Sequence, residues 1–124
     1  EPVLTLDVLG IEIRAFLADA SPGDHDLLET GGNVEWFRAA ELPEALLVRS
    51  WRPGDRMVPF GGTHEKKLQD LFVDAHVPRE ERSRHVVLEV SDTVVWVPGV
   101  RRAEFGRILP GEGTACVRLE CRSR

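Results

Sequence analysis

The sequence predicts an α+β domain, strand-rich, with two short helices at its centre. Three observations carry that prediction. Both ends of the chain alternate apolar and polar residues with a period of two, the pattern of half-buried strands. In the middle, Leu68, Leu71, Phe72 and Ala75 fall at i, i+3, i+4 and i+7, which is one face of a helix. Strands and helices are grouped rather than alternating, which separates the chain from a regular βαβ series.

The elements follow in order. Residues 3–8 and 11–17 read as two strands around a turn at Leu9-Gly10. A polar loop covers 21–26, and Gly31-Gly32-Asn33 closes it. Val34-Glu35-Trp36-Phe37 is a short strand, and residues 46–51 are another, with Pro43 before it. Arg52-Pro53-Gly54-Asp55-Arg56 and Pro59-Phe60-Gly61-Gly62 are turn chemistry: Pro presets one φ and Gly permits a positive one. The helix comes next, with Thr63 as its N-cap and Glu65 in its first turn, so that Lys66 and Lys67 open its exposed side. Pro78 starts a second short helix, where Arg79 and Arg82 are neighbours at i, i+3. Residues 86–90 and 93–97 form a hairpin across Ser91-Asp92, with Trp96 in the core, and residues 114–121 are the last strand.

The length of 124 residues suits one domain, 1–124, able to bury a core without disulfides or a structural metal. The absent initiator Met points to a piece of a longer chain. No apolar run approaches the roughly 20 residues that cross a bilayer, and the N-terminus has no signal-peptide pattern. The net charge of -5 taken alone argues against nucleic acid. It hides a gradient: residues 1–50 hold ten acids and three arginines, and residues 51–124 hold eleven acids and thirteen bases. Cys116 and Cys121 lie five apart on one strand, on opposite faces and roughly 16 Å apart, so they neither bridge nor form a zinc site. They read as two small, partly buried thiols in a reducing cytoplasm.

Catalytic patterns are missing. There is no Gly-rich phosphate loop, no Gly-x-Ser-x-Gly elbow and no His-x-x-x-His pair. Asp70 and Asp74 share a helical face, which reads first as a solvated surface. No catalytic or metal-binding residue is assigned. The informative signal is basic. Arg49, Arg52 and Arg56 bracket the Pro-Gly turn; Lys66-Lys67 follow; Arg79, Arg82 and Arg84 crowd into six residues; Arg101 and Arg102 follow the Trp96 strand. Guanidinium forks match phosphate oxygens bidentately, so these clusters are candidate RNA contacts if the fold gathers them. Interleaved Asp55, Glu80 and Glu81 allow the opposite reading, an ion-paired surface without a ligand.

Three ordered blocks also resemble the C-terminal domain of bacterial tRNA(Ile)-lysidine synthetase. They are Val48-Arg49-Ser50-Trp51-Arg52-Pro53-Gly54-Asp55-Arg56-Met57-Val58-Pro59-Phe60-Gly61, then Lys66-Lys67-Leu68-Gln69-Asp70-Leu71-Phe72-Val73-Asp74 with Val77-Pro78-Arg79, then Val94-Val95-Trp96-Val97-Pro98-Gly99-Val100-Arg101. The sequence departs from the family at Arg38, where an acid is usual, and at His85-Val86, where a proline commonly precedes the strand. The resemblance implies a strand-rich fold similar to a domain of the phenylalanyl-tRNA synthetase β subunit. It further implies a non-catalytic domain that holds an isoleucine tRNA, at its acceptor stem, for an enzyme that joins lysine to the wobble cytidine. ATP with Mg would serve the parent catalytic domain, with no cofactor in this part. The partners implied are tRNA and that catalytic domain, in the cytoplasm, with neither membrane nor DNA. The alternative is a structural or protein-interaction module that docks on its parent enzyme or on a partner subunit.

Overall fold

The computed structural model describes residues 2, 4–8, 10–20, 32–42, 46–108 and 114–123. Leu9, the loop 21–26, Gly31 and Pro43 lie outside them. Among the described residues, ten strands and one α-helix run in the order β1 (Leu4–Val8), β2 (Ile11–Ala20), β3 (Val34–Arg38), β4 (Leu47–Ser50), β5 (Arg56–Met57), β6 (Lys66–Lys67), α1 (Leu68–Asp74), β7 (Val86–Val90), β8 (Thr93–Val97), β9 (Arg101–Arg102) and β10 (Thr114–Ser123). A first antiparallel sheet has the order β1-β2-β10-β3, a second has β4-β7-β8-β9, and β5-β6 is a two-stranded ribbon. The last strand therefore lies between two of the first three, with Arg118 opposite both Phe16 and Trp36.

Two cores share the second sheet. Ile13, Ala15, Phe37 and Leu119 of the first sheet pack on Leu88, Val95 and Trp96. On the opposite side, Leu68, Leu71 and Phe72 of α1 and Met57 of the ribbon pack on Val87, Val94 and Val97. The second sheet is thus covered on both faces. That is why β7 and β8 are continuous apolar runs rather than alternating ones, with Val87, Leu88, Val95 and Trp96 fully buried. A register shift opposite Leu88/Glu89 makes a bulge in β8, which turns both Val95 and Trp96 toward the first sheet. The hairpin closes at Ser91 and Asp92, with φ of 49° and 66°, the left-handed pair that a tight two-residue hairpin needs.

Three local expectations are corrected. Helix α1 begins at Leu68, with Lys67 at the N-cap, so Thr63 and Glu65 lie outside it. Lys66 and Lys67 form a strand because Arg56 and Met57 offer a pairing edge; Arg56 faces Lys67 and Met57 faces Lys66. Ala75 is exposed at the helix C-cap, so the buried stripe is Leu68, Leu71 and Phe72. The second helix is a 3-10 helix, Arg79–Arg84, with Pro78 at its N-cap. Cys116 and Cys121 are thiols, and burial pushes Cys121 up to about 11. No helix among the described residues is long and apolar enough to cross a membrane.

Candidate nucleic-acid interface

The basic residues separate into structural and exposed groups. Arg49, on β4, is structural. Its guanidinium meets Asp55 along two prongs, Nη2–Oδ1 at 2.9 Å and Nη1–Oδ2 at 3.0 Å, and Glu89 at 3.0 Å. Asp55 also accepts from the Arg52 backbone N–H at 2.7 Å and closes a turn in which Gly54 has φ 96°. The Asp55 carbonyl then accepts from the Leu68 N–H at 2.9 Å, which ties the turn to the start of α1. Burial would raise the Asp55 pKa, but the Arg49 guanidinium and the Arg52 N–H hold it below its ordinary value.

Arg102 is structural too. It is the cross-strand partner of Trp96 and so points between the sheets. Its guanidinium lies 4.2 Å from the Phe37 ring centroid and 4.9 Å from that of Phe60. It donates to the carbonyls of Trp36, Ala103 and Phe105, and its Nη1 is 3.7 Å from Glu35 Oε2. Burial pushes its pKa down to about 10, with Glu35 acting against that, so the side chain stays charged at neutral pH. Arg82 is buried, with its guanidinium 5.7 Å from the Phe72 ring centroid. Arg49, Arg82 and Arg102 were candidate RNA contacts from the sequence. Arg49 and Arg102 are engaged by carboxylates and carbonyls inside the fold, and Arg82 is buried with its Nε 3.4 Å from the Val77 carbonyl, so the fold gives each of the three a structural role.

The other candidate bases, exposed or half-buried, fall into three places. Arg56 and Lys67 are opposed and exposed on the ribbon, and exposed Arg52 occupies the turn leading into it. Lys66 and Arg101 line a cleft of about 220 Å³ against the C-terminal end of α1. Arg79 and Arg84 are exposed on the 3-10 helix. Arg84 lines a second cleft, of about 280 Å³, with Asn33, His85, Arg122 and Ser123. Both clefts border the turn after β8, one through Pro98 and Gly99 and the other through Val100 and Arg101. The period of two explains why Arg101 and Arg102 part company. Arg101 pairs with Val97 and faces the α1 side; Arg102 pairs with Trp96 and faces the first sheet.

Sequence reasoning missed the acids that select between these fates. Glu35 and Glu89 lie within strand patterns, which do not reveal their partners. Asp74 was read beside Asp70, but its partner is Lys66. No grouping of three or more His, Cys, Asp or Glu suited to a metal occurs among the described residues.

Fold and site together define a two-sheet α+β module that presents cations from a ribbon, a cleft and a 3-10 helix. The fold is shared with an N-terminal fragment of the phenylalanyl-tRNA synthetase β subunit from Pyrococcus horikoshii: TM-score 0.62 at 14% identity, over 86% of this chain and 38% of that one. The family model described as TilS substrate C-terminal domain matches residues 46–121, and the chain belongs to that family. A crystal structure of a TilS C-terminal domain superposes with a TM-score of 0.71 at 31% identity, covering 93% of this chain and 85% of the other. The tRNA(Ile)-lysidine synthase of Symbiobacterium thermophilum is 49% identical over 120 residues, 96% of this chain and 24% of the relative. That of Geobacter sulfurreducens is 47% identical over 95 residues, 76% of this chain and 20% of the relative. The chain thus spans about a fifth to a quarter of the length of these curated relatives.

Proposed function

We propose that this chain is the non-catalytic, tRNA-binding C-terminal domain of a tRNA(Ile)-lysidine synthetase, single over residues 1–124. It serves a cytoplasmic enzyme that joins lysine to the wobble cytidine of an isoleucine tRNA. In this reading the domain grips the acceptor stem by shape and backbone phosphate, since A-form RNA offers its backbone and 2′-hydroxyls more readily than its base edges. The carrying observation is the ribbon. The ribbon lies within residues 46–121, which the family model matches, and on it Arg56 and Lys67 stand opposed and exposed, while Arg49 is engaged by Asp55 and Glu89. The proposed contacts are Arg52, Arg56, Lys66, Lys67, Arg79, Arg84 and Arg101.

ATP with Mg is assigned to the parent catalytic domain. The residues here do not fit it: Gly61-Gly62 lead to a two-residue strand, not to a helix N-terminus that would cradle phosphates. The test uses the full-length protein and a transcript of an isoleucine tRNA. Arg56→Ala with Lys67→Ala weakens binding and flattens the salt dependence by about 0.7–0.9 per lost phosphate contact. An unaltered slope sinks the ribbon as an RNA surface. It would favour the docking-module reading, to which the internal pairing of Arg49 and Arg102 also belongs.

A further inference from the structure

The cleft between α1 and the β8–β9 turn holds charges in unequal states. Lys66 is engaged by Asp74, which reaches it from the last residue of α1. Arg101, on the same cleft, is under-used. Its Nη2 reaches the Phe60 carbonyl only at 3.4 Å, the long end of the hydrogen-bond range, and its buried Nε has no acceptor among the described residues. The floor is apolar, from Leu71 and Val100. At about 220 Å³ the space is smaller than pockets that enclose whole small-molecule ligands, and suits a single compact group. One half-buried guanidinium, weakly engaged by the Phe60 carbonyl, beside an ammonium held by a replaceable carboxylate, is a site for an anion.

We propose that this cleft takes one backbone phosphate of the bound RNA, and that Asp74 is its specificity-determining residue. Lys66 exchanges Asp74 for the phosphate on binding, while Arg101 supplies its guanidinium, held by one long bond to the Phe60 carbonyl. The exchange is easy because both partners are about half exposed, Lys66 by 43% and Asp74 by 58%, where ion pairs are weak. Asp74 thereby penalises anions too weak to displace it. This rests on the reading of the basic face as an RNA interface.

The experiment measures binding of an isoleucine tRNA transcript to the full-length protein across a salt series. Lys66→Ala flattens the slope by about 0.7–0.9, one phosphate contact. Asp74→Asn leaves the slope unaltered and tightens binding roughly two- to five-fold, the worth of a surface ion pair no longer broken. That gain disappears in the Lys66→Ala background. Asp70→Asn removes the same charge from the exposed side of the same helix and does not reproduce the gain. A gain that survives Lys66→Ala, or that Asp70→Asn matches, is a general charge effect and overturns the exchange. Arg56→Ala with Lys67→Ala is the reference. If that pair flattens the slope and Lys66→Ala does not, the exchange fails and the interface stands; if neither does, both readings fall.

Discussion

Arg49 and Asp55, six residues apart, meet as a two-pronged ion pair with N–O distances of 2.9 and 3.0 Å. The pair closes the Pro53-Gly54 turn, and Asp55 passes the constraint to α1 through its backbone carbonyl. Part of the Arg-rich family motif is therefore architecture. It sets the angle at which Arg52 and Arg56 leave the fold.

Removing Arg49 leaves Asp55 and Glu89 without their cation, and removing Asp55 leaves Arg49 with Glu89 alone, at side chains only 10% and 12% exposed. Arg49→Ala and Asp55→Asn are each expected to cost about 3 kcal/mol, read as a lowered urea midpoint. The pH dependence has a definite sign. The Asp55 pKa in the folded protein lies below its ordinary value of 3.8, so its contribution is complete above that value. It is lost as pH falls through the folded pKa. Stability measured from pH 5 down to pH 2 should fall less steeply in Asp55→Asn than in the parent.

Arg102 joins the two sheets, and its loss should unfold rather than merely weaken binding. Arg102→Ala removes the cation beside buried Glu35 and a donor to three carbonyls, an expected cost of about 3–5 kcal/mol. Arg102→Lys should recover little, because one ammonium cannot span the carbonyls of Trp36, Ala103 and Phe105. Lys67→Ala, at an exposed position, should leave the melting temperature unchanged. A melting curve for each variant separates the two kinds of base.

His76 ends α1 in a left-handed conformation, φ 59°. The His76 N–H donates to the Val73 carbonyl at 3.0 Å, and the Val77 N–H donates to the Phe72 carbonyl at 2.9 Å. This is a helix-ending motif in which glycine is the favoured residue at the position of His76. His76→Gly should stabilise the protein by about 0.5–1 kcal/mol, seen as a raised melting temperature. No change would mean that the imidazole makes compensating contacts.

Period-two alternation in residues 11–17 and 114–121 placed β2 and β10, and the Leu68-Leu71-Phe72 spacing placed α1, because such patterns are local and record which face each element buries. The apolar runs at residues 86–90 and 93–97 marked the β7–β8 hairpin, and the three motif blocks carried the family. Tertiary structure alone decided the fate of each base. Strand pairing with Arg56-Met57 drew Lys66 and Lys67 out of the helix. Insertion of β10 between β2 and β3 built the sheet that buries Arg102 against Phe37. Period two could have separated Arg101 from Arg102, but which of the two entered the core depended on the layer each face met. Glu35, Glu89 and Asp74 lie 67, 40 and 8 residues from Arg102, Arg49 and Lys66 along the chain. A charge is spent or free according to what the fold brings beside it, and that proximity is not a local property of the sequence.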